Sequence, residues 1–345
     1  MENSVKITAK VVAISVVAFG VFVYKLDVLP SFNNVVSSSA STPGQSPEDE
    51  AQQAKMEPFI QCINGVDSIW GERYQIYRGM YADFVRGGPT PNLRARFYLT
   101  MHGDRYQGAK TCIAGLEKGI KATPADPELD KAGEAYLQTL RELLPLITEL
   151  DTYYDQQSYR DDNKARGKAL DEQIGSLFER LFSASSQMHK IISGRNLDMQ
   201  RKMLAAMEKE NGKDIWWQTE NVMLQARVAV DAIEALSTSG KMSAESVQVV
   251  ETAYTKAYEE AKAYGEANRP AAGTAKTAAD PFWFDIASTA DSLALSIKTL
   301  RRDQGDGKKN VSRDLDDITR SFNRLVERYN ERNQMRQRYI ASTGR

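Results

Sequence analysis

The stretch that most constrains the fold is 129–193, two amphipathic arms meeting at a polar turn. In the first arm Tyr136, Leu140, Leu143, Ile147, Leu150 and Tyr154 recur at alternating steps of four and three, which holds them on one stripe of an α-helix. The second arm keeps the rhythm with Leu170, Ile174, Leu177, Leu181, Ser185, Met188 and Ile192. Joined by the short segment Tyr153–Asp162, the arms bury both stripes by folding back on each other, so the sequence predicts an antiparallel helical hairpin. Pro145 removes a donor to the carbonyl of Arg141, but the stripe continues on both sides of it, and the reading is one bent helix.

Helical spacing extends both ways from the hairpin. Upstream, Phe59, Ile63, Val66, Trp70, Tyr74, Tyr77, Tyr81 and Phe84 form a stripe that stops at Gly87-Gly88-Pro89-Thr90-Pro91. A second helix returns through Tyr106, Cys112, Ile113, Leu116 and Ile120 to Thr123-Pro124, and Pro127 with Asp130 opens the hairpin. Beyond Gly194 the pattern predicts helices at 196–210, 214–237 and 243–268, then a joint at 269–280 rich in Ala, Gly and Pro. Phe282, Ile286, Leu293, Ile297 and Leu300 mark one closing helix, and Val311, Leu315, Ile318, Phe322, Leu325 and Tyr329 mark another. With no period-two pattern to suggest strands, the expected fold class is all-α: an elongated bundle of stacked antiparallel helical hairpins behind an N-terminal membrane segment.

That segment is the uncharged run at 11–24, preceded by Lys6 and Lys10. As a helix it reaches about 21 Å, short of the roughly 30 Å hydrocarbon core and typical of the apolar region of a cleaved signal. The nearest small-x-small site, Ser38-Ser39-Ala40, lies well beyond the run, and Lys10 and Lys25 can snorkel to let 7–29 span. The reading is an uncleaved anchor at 11–29 with residues 1–10 cytoplasmic, and cleavage with release to the periplasm is the alternative. Residues 30–54 are a linker rich in Ser, Pro and acids, and 55–341 form the extracytoplasmic helical domain.

Forty-five basic residues against 46 acidic ones leave a formal charge of −1, with no global field to attract nucleic acid, and none is expected as a partner. Two histidines and two cysteines, none at metal-ligand spacing, point to no metal and no cofactor. No Gly-x-Ser-x-Gly and no phosphate-cradling loop occurs, so the expectation is a protein that is not an enzyme. The hairpin tip gathers Tyr153, Tyr154, Asp155, Tyr159, Asp161 and Asp162, phenols and carboxylates that could receive a cation or a cationic ligand. The plainer reading is a solvated turn in which Asp161 or Asp162 caps the next helix and the tyrosines pack with their hydroxyls wet. Arg320, Arg324, Arg328, Arg332 and Arg336 recur every fourth residue, but that step drifts around the helix, and Glu327 and Glu331 stand within pairing reach.

Cys62 and Cys112 have their midpoint at Gly87, where the Gly-Gly-Pro turn begins. Folding the two helices back at that turn brings the cysteines level, and a domain carried across a membrane meets an oxidising compartment, so a Cys62–Cys112 disulfide is expected. Two small thiols filling a helix interface are the alternative.

Several of these residues also resemble a known family. Cys62-x-Asn64, Cys112, Pro127-x-Leu129-Asp130, Tyr136, Leu143-Leu144-Pro145-Leu146, Tyr153-Tyr154, Tyr159, Asp161-Asp162 and Gly167-Lys168 look like the YiiG-like family of bacterial envelope proteins of unknown function, over roughly 55–330. Members are typically lipoproteins, which implies an extracytoplasmic helical domain tethered to a membrane. This chain departs from that pattern in having an apolar run and no cysteine before Cys62. The resemblance carries no catalytic residues. Together these readings predict a membrane-tethered, non-catalytic envelope protein that binds or scaffolds another envelope protein, with ligand or cation binding at 153–162 as the alternative.

Overall fold

The computed structural model describes residues 46–79, 84, 86–88, 104–269, 282–308 and 310–343. Among the described residues every regular element is helical: α1 Pro47–Tyr77, α2 Asp104–Lys121, α3 Pro127–Asp155, a 3-10 turn Ser158–Arg160, α4 Ala165–Asn211, α5 Ile215–Thr238, α6 Ala244–Ala267, α7 Phe282–Gly305 and α8 Ser312–Thr343. The apolar run 11–24 and its flanks lie outside them. No helix among the described residues is long and apolar enough to cross a membrane.

Contacts divide the chain into two units between Asn196 and Leu197, within α4, and the expected joint 269–280 lies, from residue 270 on, outside the described residues. Helix α4 runs unbroken through Gly194, where the sequence suggested a stop. A glycine costs a helix interior only about 1 kcal/mol, less than the flanking turns supply. The expected linker 30–54 is likewise cut short, because Ser46 caps the amide of Asp49 and Pro47 opens α1 eight residues before 55. Pro145 sits inside a continuous α3, as the stripe implied.

In the unit Ser46–Asn196, the facing pairs give the topology. Cys62 meets Cys112 and Lys55 meets Gly119, so α1 and α2 are antiparallel. Arg195 pairs with Asp126, Arg180 with Glu142 and Arg166 with Glu149, which makes α3 and α4 the predicted antiparallel hairpin. Tyr77 reaches Asp171 while Ser185 reaches Asp67, so α4 also runs against α1. The result is an up-down-up-down four-helix bundle whose core holds Phe59, Ile63, Val66, Leu140, Leu143, Ile147, Ile174, Leu181 and Met188. Phe59 is wedged between two glycines: a Cβ on Gly133 would lie 2.5 Å from its ring and one on Gly119 would lie 2.9 Å from it. Only glycine lets α2 and α3 approach this ring so closely.

In the unit from Leu197, α5 to α8 surround a core of Val222, Val230, Ile233, Tyr254, Trp283, Ile286, Leu293, Ile297, Phe322 and Leu325. Glu251 pairs with Arg301, and the Tyr254 hydroxyl donates to the carbonyl of Ala290, setting α6 against α7. Ser296 meets Ser321 and Arg332 meets Asp285, setting α7 against α8. Local signals fix the helix starts: Asp214 accepts from Trp216 and Trp217 amides, and Ser243 forms a reciprocal capping box with Ser246.

Candidate functional site

Most of the buried polar chemistry described here lies inside the first bundle. Asp67 of α1 is 1% exposed, and its Oδ1 accepts from the Tyr136 hydroxyl of α3 at 2.6 Å. Its Oδ2 accepts from the Ser185 hydroxyl of α4, and His189 Nε2, one turn further along α4, lies 3.7 Å from the same oxygen. Burial, reinforced by the Asp67 charge, drives the Tyr136 phenol well above its ordinary range, so it stays a donor. Serine, histidine and aspartate are thus in one place, but the hydroxyl gives its hydrogen to the carboxylate and not to the imidazole. A nucleophilic relay needs the serine bonded to the histidine. As arranged, the cluster holds a buried negative charge between α1, α3 and α4.

Nearer the hairpin tip, Asp171 of α4 accepts from the Tyr77 hydroxyl at 2.9 Å and from Arg86 at 2.5 Å. Tyr74 stacks on Phe178 with ring centroids 4.1 Å apart. At the tip itself the structure separates the six residues singled out from sequence. Tyr153 and Tyr159 turn inward, Tyr154 is half-buried, and Asp155 and Asp161 are exposed. Tyr159 packs edge-on to Phe84 at 5.2 Å, and Tyr154 packs against both other tyrosines. Asp162 is the capping residue, accepting from the amides of Lys164 and Arg166 and from the Tyr153 hydroxyl. Burial opposes its charge, yet those donors hold its carboxyl below the usual range, while burial and the bond to Asp162 push Tyr153 up to about 12. Gln157, Asn163 and Lys164 all take positive φ, and Lys164 places its ammonium 2.9 Å from the Phe84 carbonyl and 3.9 Å from that ring's centre. Among the described residues no group of three or more acidic, histidine or cysteine side chains is placed to hold a metal.

Cys62 and Cys112 stand at disulfide distance with Cα atoms 4.3 Å apart, as the turn at Gly87 implied. On α8, Arg320 pairs with Asp317, Arg328 with Glu331 and Arg332 with Asp285.

Sequence reasoning missed the Asp67 cluster. Its signal was present: Asp67 falls on the apolar face between Ile63 and Trp70, and Ser185 interrupts the α4 stripe four residues before His189. Polar residues in a core stripe require partners, and these were each other's.

The family profile that matches is described as a protein of unknown function (DUF3829), over residues 50–331. The chain is similar to the uncharacterized protein YiiG of Escherichia coli strain K12, 26% identical over 220 residues, which is 63% of this chain and 62% of the relative. The chain therefore spans less than two thirds of that relative's length. No solved structure matches it. With that profile covering both helical units, the chain belongs to the DUF3829 family, the YiiG-like family that its hairpin residues resemble.

Proposed function

We propose that this is a non-catalytic protein of the cell envelope, tethered by 11–29 with its helical units facing the periplasm, that works by binding or holding another envelope protein. The observation that carries the reading is the Cys62–Cys112 pair at disulfide distance. A bridge there persists only in an oxidising compartment, and the apolar run ahead of the bundle supplies the route across a membrane. The inward polar groups Asp67, Lys55 and Asp171 are taken up by neighbouring helices, which favours a working surface over a working cavity.

A second reading, ligand binding at the hairpin tip, draws on one observation: the Tyr159 hydroxyl is buried and has no hydrogen-bond partner. A bound polar group would satisfy it.

Intact cells treated with a membrane-permeant alkylating agent and then fractionated test the first reading. The expected result is a full-length chain in the membrane fraction whose cysteines react only after reduction, and which photo-crosslinks to an envelope protein. Recovery in the cytoplasmic fraction with both thiols alkylated without reduction would overturn it.

A further inference from the structure

We propose that Met199, Met203 and Met207 on α4 form a binding site for copper(I), held through their thioether sulfurs. The three recur every fourth residue within the unit that begins at Leu197, and each is half-buried, whereas Met56 and Met188 in the first bundle are 0% exposed. Thioethers are a donor set that a count of histidines and cysteines leaves out.

Helix geometry brings the sulfurs within reach of one ion. A four-residue step rises about 6 Å and turns about 40° beyond a full circle, so Met203 stands midway between the other two on one arc. Methionine is unbranched and flexible, which lets the outer side chains lean towards the middle one. One residue on from Met203, Leu204 lies about 100° around the helix, where it is buried with Trp217 and Leu224 of α5. The methionine arc therefore flanks that interface: Met207 packs at its edge, and Met203 and Met199 lie progressively farther round.

The chemistry selects the ion. Soft thioether sulfur selects copper(I), whereas calcium and magnesium take oxygen and zinc takes its sulfur as thiolate. A thioether has no proton to displace, so binding is independent of pH, unlike that of sites built from histidine, cysteine or carboxylate. The negative pole of α4, which ends at Asn211, lies just beyond Met207, and exposed Glu210 continues the arc; both favour a cation. The basic residues nearby, Arg201, Lys202 and Lys209, stand about 100° or more around the helix from Met203. The site rests on neither the compartment nor the partner proposed above.

Silver(I) is the probe, because it shares this chemistry and keeps its oxidation state in air. The full-length chain, methyl-labelled at methionine and with any free thiol alkylated, is titrated with silver(I) and followed by NMR, with single leucine substitutions assigning the signals. The methyls of Met199, Met203 and Met207 should shift together, excess zinc should shift none of them, and copper(I) added under nitrogen should displace the silver. Leucine keeps the packing volume but offers no donor, which separates a ligand role from a core role. Loss of an outer partner alone costs a metal site about 10–100-fold, so a variant carrying Met199→Leu, Met203→Leu and Met207→Leu should bind silver about tenfold more weakly or worse. A smaller loss, or shifts confined to other methionines, overturns the site. Should the triple variant fail to fold, Met203→Leu alone decides by the same measure.

Discussion

Lys55→Met tests whether polar groups, and not apolar burial alone, hold α2 in the first bundle. Lys55 is 0% exposed, and its ammonium donates to the carbonyls of Gly119, Ile120 and Ala122 at 2.7, 3.2 and 2.9 Å. Those oxygens lie at the C-terminal end of α2, its negative pole, where the Gly119 carbonyl also takes the Ala122 amide. Asp130, 18% exposed and at 2.7 Å, balances the charge from the first turn of α3. Methionine matches the stem and removes only the cation, leaving three carbonyls and a carboxylate facing an apolar group. Breaking one side of a buried pair costs about 3–5 kcal/mol, and the partial exposure of Asp130 sets the expectation at about 3 kcal/mol. Each 1.4 kcal/mol is a factor of ten, so protection of the α2 amides in native-state hydrogen exchange should fall about a hundredfold. In the double variant with Asp130→Asn the second substitution should cost less than it does alone, because its partner is already gone. A fall smaller than about fivefold for Lys55→Met, or strict additivity with Asp130→Asn, would refute the argument.

Gly133→Ala and Gly265→Ala each place a methyl 2.5 Å from a ring, Phe59 and Trp283 respectively, and should lower stability by about 1–3 kcal/mol despite alanine's better helix propensity. Denaturant midpoints of each variant check this, and a stabilised variant would mean that the ring relaxes freely. Burial opposes the Asp126 charge, but Arg195, the Leu129 amide and Gln52 hold its carboxyl below the ordinary range. Its stabilisation is therefore present above the usual aspartate value and lost as the pH falls through the folded value. Arg195→Gln should cost about 1 kcal/mol at neutral pH, kept small by Arg195's 39% exposure, and the gap to wild type should close in acid urea titrations. Tyr159→Phe removes a buried hydroxyl that has no partner and should leave stability unchanged or raise it by about 1 kcal/mol. A loss above that size in thermal unfolding would show the hydroxyl to be bonded and would favour the ligand reading of the tip.

Periodicity made the hairpin legible because each arm must bury one continuous stripe, and Leu140, Leu143, Ile174 and Leu181 all lie in the core the stripe predicted. The turn at Gly87 made the cysteine pair legible in the same way, since a midpoint needs only helix geometry. What periodicity cannot rank is the strength of a local break against the packing around it. Gly194 looks like a stop in isolation, yet Arg195 next to it is bound to Asp126 and Glu128 across the bundle, and the helix continues. Nor can periodicity pair polar residues that occupy an apolar stripe. Asp67, Tyr136, Ser185 and His189 each read singly as an exception on its own helix, and only folding shows them to be one cluster. A buried carboxylate that could be replaced by leucine adds no stability over an apolar core, because two apolar groups of the same shape pack as well. Its presence at the meeting point of α1, α3 and α4 instead fixes which helices meet and in which register, since a slip of one turn strands the charge without donors. That is the same demand that Lys55 makes at the end of α2. In this bundle the stripes determine that helices pack, and a few buried polar groups determine which faces do.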